Sequence, residues 1–313
     1  MAKQIFEQMD SFFSGKDSRM TYDLGLGQLD GMLGGIEMGK LLVVAGQAND
    51  GREALIYTFI KHLAFDLQIP SLVINLATSE DTFYYNLMSN VTGISIDDIR
   101  KEDITDKMKL FEKSKIYVEF PKDRSLEHIE QFIREYAAKG VELFFIDKFQ
   151  AIDYKDDIEY CFDDELLFYK EKNSRHLYLL AKDLRINIFT GSTVSDFAFD
   201  REGIEGIRPN LSDLVRPGRL DEYSDVIFGV FVPYVHQIFI NYDGKDFRDI
   251  IEVTILKNNI NQKLGRFSMK YDYCRNRVLD NKEYNREIYE KLLAKNPALN
   301  ELVVGMGLTP EIE

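Results

Sequence analysis

The residues best placed to do chemistry lie in one short stretch, Gly46-Gln47-Ala48-Asn49-Asp50-Gly51-Arg52-Glu53. It follows an apolar run, Leu41 to Ala45, and leads into a helix-forming segment, Glu53 to Leu67. Strand, glycine turn and helix together make the setting of a phosphate-binding loop, in which backbone N–H groups and the helix N-terminus point at phosphate oxygens. Gly46 and Gly51 have the separation such a loop requires, with Asn49 between them. The two chemically demanding positions are changed. Arg52 stands where the motif needs lysine, and Glu53 where it needs a hydroxyl to hold magnesium. Arg52 keeps the positive charge, but a planar guanidinium cannot occupy the compact place of an ammonium. Glu53 is able to ligate a metal, yet it also repels phosphate at close range. Asp50 adds a second negative charge inside the loop. Two readings follow: ATP and Mg2+ held in a divergent loop, or a glycine-rich turn that no longer binds nucleotide. The second is favoured.

Little else offers a catalytic centre. His62, His128, His176 and His236 are scattered without metal-ligand spacing, and no Ser-His-Asp set or paired carboxylates can be discerned. The acidic stretch from Asp153 to Glu165, with Tyr154, Tyr160 and Phe162, reads first as a solvated loop and helix start, and second as a surface that mimics or repels nucleic acid.

The elements that must position the loop alternate regularly. Apolar runs at Ser71 to Leu76, Lys115 to Glu119, Glu142 to Ile146 and Asn187 to Thr190 read as strands. Helical patterns at Thr82 to Thr92, Leu126 to Ala138 and a segment ending at Leu177 to Leu184 separate them. This predicts an α/β fold of three layers, with a mostly parallel sheet and helices on both faces. After Asp225 the pattern changes to Val226–Val232, Gln237–Tyr242, Ile250–Leu256 and Arg266–Tyr271, joined by short turns such as Asp243-Gly244, which predicts an antiparallel extension. Residues 1–20 carry an apolar stripe (Ile5, Phe6, Met9, Phe12, Phe13) and read as an amphipathic arm, folded on its own domain or docked on a second copy. The main domain spans 21–280, and a helical tail covers 281–313.

Among its 313 residues, 45% are hydrophobic and 29% charged, the proportions of a globular protein with a well-buried core. No run is long and apolar enough to span a bilayer, and no signal-peptide pattern opens the chain, so the sequence reads as cytoplasmic. Cys161 and Cys274 are the only two cysteines, too few for a disulfide framework. A formal net charge of −14 opposes a broad basic face for nucleic acid, leaving only local or weak contacts.

The run Leu24-Gly25-Leu26-Gly27-Gln28-Leu29-Asp30-Gly31-Met32-Leu33-Gly34-Gly35 resembles the opening of the DnaB-type replicative-helicase motor domain, a RecA-like fold. Further resemblances fall in order: Ile96 to Arg100, Leu143 to Gln150 with its Asp-x-x-Gln end, Leu180-Ala181-Lys182-Asp183-Leu184, and Leu211-Ser212-Asp213-Leu214 followed by Gly218 and Asp225-Val226. Each piece is weak alone; together they cover Thr21 to Val278.

The resemblance assigns roles. Asp147 matches the aspartate that holds magnesium through water. The water-orienting glutamate falls on Ala77, with Glu80 three residues later, and the γ-phosphate sensor falls on Ser192. The arginine-finger turn falls on Lys257-Asn258-Asn259, so the lysine survives and the arginine is Asn259. The two segments matching DNA-holding loops, 153–175 and 195–210, are net acidic, with Arg201 and Arg208 as candidate phosphate contacts. An arginine finger alone is worth about 10³–10⁵ in rate, and an alternative register using Glu80 or Lys263 could supply one of the four missing groups but not all of them. The expected function is that of a catalytically impaired partner or modulator in DNA replication or maintenance. It would self-assemble or join a DnaB-type helicase, with weak single-stranded DNA contact and no membrane role. The alternatives are an active ATP-dependent helicase and a RecA-fold scaffold without nucleic acid.

Overall fold

A computed structural model describes residues 21–99, 105–153, 163–194, 201, 203–216, 218–239 and 246–280. The arm at 1–20 and the tail at 281–313 lie outside them, as do most of the acidic stretch and the Asp243-Gly244 turn.

The elements run β1 (Thr21–Tyr22), α1 (Gly27–Leu33), β2 (Ile36–Glu37), β3 (Leu41–Gly46), α2 (Arg52–Ile60), β4 (Ser71–Ile74), α3 (Glu80–Thr92), α4 (Ile96–Ile99) and α5 (Thr105–Lys113). They continue with β5 (Ile116–Glu119), α6 (Leu126–Ala138), β6 (Leu143–Ile146), α7 (Asp163–Leu184), β7 (Asn187–Thr193), α8 (Gly203–Ile207), β8 (Val226–Phe231), β9 (Ile250–Asn258), β10 (Gly265–Asp272) and β11 (Arg277–Leu279). A nine-stranded sheet has the order β11-β10-β9-β8-β3-β7-β6-β4-β5. Strands from β8 to β5 in that order pair in parallel, and β9, β10 and β11 extend the sheet antiparallel. The expected mixed sheet is therefore present.

Every residue of β3 is buried, as an unbroken apolar run in a covered parallel strand should be. Alternation then divides the core into two layers. Leu42 and Val44 belong to the layer that holds Phe59 of α2 and Phe83 of α3, while Leu41, Val43 and Ala45 belong to the layer that holds Ile129 and Ile133 of α6 and Leu177 of α7. Phe59 sits between Phe189 and Phe228, with ring centroids 6.2 and 5.6 Å away. The chain leaves β3 toward one edge and returns by β8 on its other side, so the loop after β3 lies at a topological switch point, where crevices form.

Asp225 ties this centre together. It is 3% exposed and accepts from the Leu41 N–H at 3.1 Å, while Lys182 of α7 reaches it at 3.2 Å. Between β8 and β9 the register shifts at Ile227/Phe228: Ile227 faces Lys257 and Phe228 faces Ile255, so Leu256 is the inserted residue of a β-bulge.

Several details depart from expectation. The predicted strand Gln237–Tyr242 is not a strand over its described residues. Pro233 opens a 3-10 turn, Pro233–His236, and Gln237 closes it with a left-handed φ of 61°. Proline fixes its own φ and has no N–H to give a ladder, so the sheet stops there. Helix α2 gives way after Ile60 to a π-helical turn, Lys61–Asp66, and α1 and α5 were not anticipated.

The π-helical turn carries His62, whose ring contacts both Asp23 and Asp66 and lies against Gly25, where an added Cβ would stand 2.4 Å from the ring. Hydrogen bonding to Asp66, opposed by burial and reinforced by Asp23, holds the imidazole pKa above its ordinary value. Stability from this contact is complete below the unfolded value of about 6.5 and is lost as pH rises through the higher folded value. Replacing His62 with Asn should lower the urea midpoint clearly at about pH 5.5 and by less at about pH 9. An equal deficit at both would remove the ion pairs as its source.

Candidate functional site: a phosphate-type loop closed on itself

The loop from Gly46 to Gly51 joins β3 to α2 as the glycine spacing predicted. Asn49 and Gly51 both adopt left-handed backbone, at φ 68° and 77°. At Gly51 a Cβ would also come within 2.7 Å of Ile251 Cδ1 and 3.3 Å of the Tyr271 ring. Helix α2 starts without a side-chain cap, so its first N–H groups are left for another acceptor.

Arg52 is 6% exposed, and its guanidinium pairs with the neighbouring Glu53 carboxylate. The arginine lies over β7 at Gly191. A Cβ there would meet Arg52 Nε at 3.3 Å and the Asp147 carbonyl oxygen at 2.5 Å, so only glycine lets the two approach. Arg52 Nε and Nη1, and both polar atoms of Gln47, are buried without a hydrogen-bond partner.

Asp50 corrects the sequence reading. Its charge is not offered to an anion: the side chain is 0% exposed and turns toward the end of β8. One oxygen accepts from the Val232 N–H at 3.1 Å and meets His236 Nε2 at 2.9 Å, while the other is buried without a partner.

Asp147 follows β6, as expected. Its oxygens accept from the Leu76 and Ala77 N–H groups at 2.8 and 3.1 Å. Burial lifts its pKa above the usual carboxylate range, against the lowering pull of those N–H groups and of Arg52. Between Asp147, Glu53, Tyr57, Thr78, Phe83 and Phe145 lies a cavity of about 20 Å³. That is room for one water. Between these residues as they stand there is no room for a magnesium ion with a γ-phosphate.

The other assigned positions disperse. Ala77 and Glu80 are exposed, and Glu80 opens α3. Ser192 is buried on β7, and its hydroxyl receives the Gln150 amide at 2.8 Å; Gln150 also accepts from the Thr193 N–H at 3.2 Å. Gln150, the end of the Asp-x-x-Gln run, thus ties the turn after β6 to β7, a role that its place in the run does not reveal. Lys257 donates to the Asp221 and Glu222 carbonyls at 2.8 and 2.9 Å, and burial lowers its pKa. Asn259 is exposed, its backbone N–H held by the Asp225 carbonyl at 2.8 Å, and Lys263 is exposed as well. Neither candidate DNA arginine is presented outward: Arg201 pairs with Asp213 at 2.8 Å, and buried Arg208 is clasped by Glu252 at 2.5 and 2.9 Å. Among the described residues, no cluster of His, Cys, Asp or Glu is arranged to hold a metal ion.

The strain at Gly51 is open to a direct check. Gly51→Ala should cost about 1–3 kcal/mol of stability in urea unfolding, and an unchanged midpoint would mean that the loop relaxes without hindrance.

Comparison with known proteins agrees with this geometry. Residues 22–277 match the family described as DnaB-like helicase C terminal domain. A probable replicative DNA helicase of Guillardia theta is 26% identical over 227 residues, covering 66% of this chain and 35% of that protein. The replicative DNA helicase DnaB of Treponema pallidum (strain Nichols) is 23% identical over 212 residues, covering 65% of this chain and 46% of that protein. The chain thus spans between a third and a half of the curated relatives it matches. Among solved structures, one described as an ATPase domain superposes with a TM-score of 0.72 at 19% identity, over 90% of this chain and 98% of that one. A DnaB-like replicative helicase studied for its interactions with primase gives 0.71 at 19% identity, over 90% and 66%. The fold is RecA-like, and the chain belongs to the DnaB-like helicase C-terminal domain family.

Proposed function

We propose that this chain keeps the frame of a DnaB-type motor domain, over residues 21–280, while having lost hydrolysis. It then acts in DNA replication or maintenance as a non-catalytic partner or modulator, self-assembling or joining a DnaB-type helicase. The observation that carries this reading is the Arg52–Glu53 ion pair at the start of α2. The cation and the would-be metal ligand of the loop answer each other, where a motor needs both turned toward a triphosphate. Ala77 and Asn259 add to the case, since neither can orient water or neutralise charge on a leaving phosphate. Single-stranded DNA contact stays weak, because Arg201 and Arg208 are engaged by carboxylates and the net charge is −14. Among the described residues no helix is long and apolar enough to cross a membrane.

Retention of Asp147 favours a second reading, an active ATP-dependent helicase with a divergent loop in which Mg2+ is held at Asp147. Calorimetry with Mg-ATP, then steady-state ATPase with and without single-stranded DNA, separates the two. The expected result is no turnover above background. Hydrolysis that disappears in Asp147→Ala would establish the active helicase instead. The double replacement Arg52→Lys with Glu53→Thr should restore nucleotide binding without turnover, since the water-orienting and finger positions remain empty of function. Capture of an active DnaB-type helicase distinguishes a replication partner from a RecA-fold scaffold without a nucleic-acid role.

A further inference from the structure

Asp50 has an unusual grip for a buried charge. A carboxylate out of water normally engages both oxygens. Here all of its hydrogen bonding passes through Oδ1, shared by the Val232 N–H and His236 Nε2, and Oδ2 has nothing. The phosphate-type loop is thus held from inside by two donors on the segment that follows β8. Of these, the His236 side chain is 11% exposed, and its ring lies parallel to Phe231, at 11° and 4.6 Å between centroids.

Phe231 meets a second group. The Arg208 guanidinium stands over the same ring at 5.1 Å, while its Nε and Nη2 clasp Glu252 of β9, which pairs with Phe231 across the ladder. Arg208 in turn belongs to a short segment fixed at its other end, where the Asn210 N–H donates to Asp213 at 2.9 Å and both complete a capping box. Asp50, His236, Phe231 and Arg208 therefore form an unbroken line of direct contacts from the loop to residues 208–213. Two of its joints are ring contacts, which lose their attraction steeply when the groups separate.

We infer that His236 is a positioning residue that couples the phosphate-type loop to the 208–213 segment, so that releasing Asp50 loosens Arg208 against Phe231 while its pair with Glu252 remains. This holds whether or not the loop accepts Mg-ATP, and its test reads neither nucleotide binding nor hydrolysis. A coupling of this kind requires energetic evidence beyond proximity.

Hydrogen–deuterium exchange on the full chain supplies it. In His236→Ala and in Asp50→Asn, amides of both 47–52 and 208–213 should exchange about tenfold faster. The control His128→Ala, on α6, should leave both segments at wild-type rates. His236→Gln keeps a donor for Asp50 but no flat ring, so it should leave 47–52 protected and free 208–213. In a Phe231→Leu background, Asp50→Asn should no longer alter 208–213. Acceleration confined to 47–52 in His236→Ala would overturn the coupling. So would full protection of 208–213 in His236→Gln, and that variant serves should the alanine variant fail to fold.

Discussion

A carboxylate taken out of water must be met by donors, and this fold is organised around that demand at both ends of its central strands. Asp50, Asp213, Asp225 and Glu252 are all nearly or completely buried. Each is answered by a backbone N–H, a lysine, an arginine or a histidine, and for all but Asp213 that partner comes from a distant part of the chain. Such pairs add little net stability against an apolar replacement, but they are costly to break singly. They therefore fix which loop lies against which strand. Arg52, Arg201 and Arg208 each already face a carboxylate of the same chain.

Much of the frame was legible in the sequence because it rests on local signals. The β3 run, the glycine spacing, and the alternation of apolar strands with helical segments depend on neighbours close in the chain. The helix Leu126–Ala138 emerged with its predicted bounds, since Ser125 caps it by accepting from the His128 N–H at 3.4 Å. The turn at Pro233–His236 was hidden by the apolar residues Val235, Ile238 and Phe239 around it, which imitate a strand, although Val235 and Phe239 are exposed. Helix α5 was masked by its lysines and glutamate, which obscure the Met108, Leu110 and Phe111 pattern.

The site was legible in residue type but not in direction. The exchange of lysine and hydroxyl for Arg52 and Glu53 could be read directly, and so could the retained Asp147. That Asp50 would turn inward could not, because its partners lie 182 and 186 residues away. The same holds for Arg208, whose carboxylate partner is 44 residues further along. An arginine in an acidic chain invites a phosphate reading; only the packed sheet reveals that a glutamate on β9 reaches it first. Family membership supplies the frame and the comparison of positions, while the state of the site follows from this chain's own contacts.

The bulge at Leu256 has a consequence for the turn that follows it. Side chains on a strand change face at each step, and at a bulge two neighbours oppose one partner residue, so the pairing beyond it is kept. Lys257 pairs with Ile227 and donates to the Asp221 and Glu222 carbonyls, while the extra residue Leu256 lays its side chain against Gly229, whose lack of a Cβ leaves the room. Shortening β9 by that single leucine would keep Lys257 paired with Ile227 but remove the side chain that packs over Gly229 in the layer of Leu41, Val43 and Ala45. Strand β9 thus takes up one residue more than its partner strand and still delivers the turn with its pairing intact.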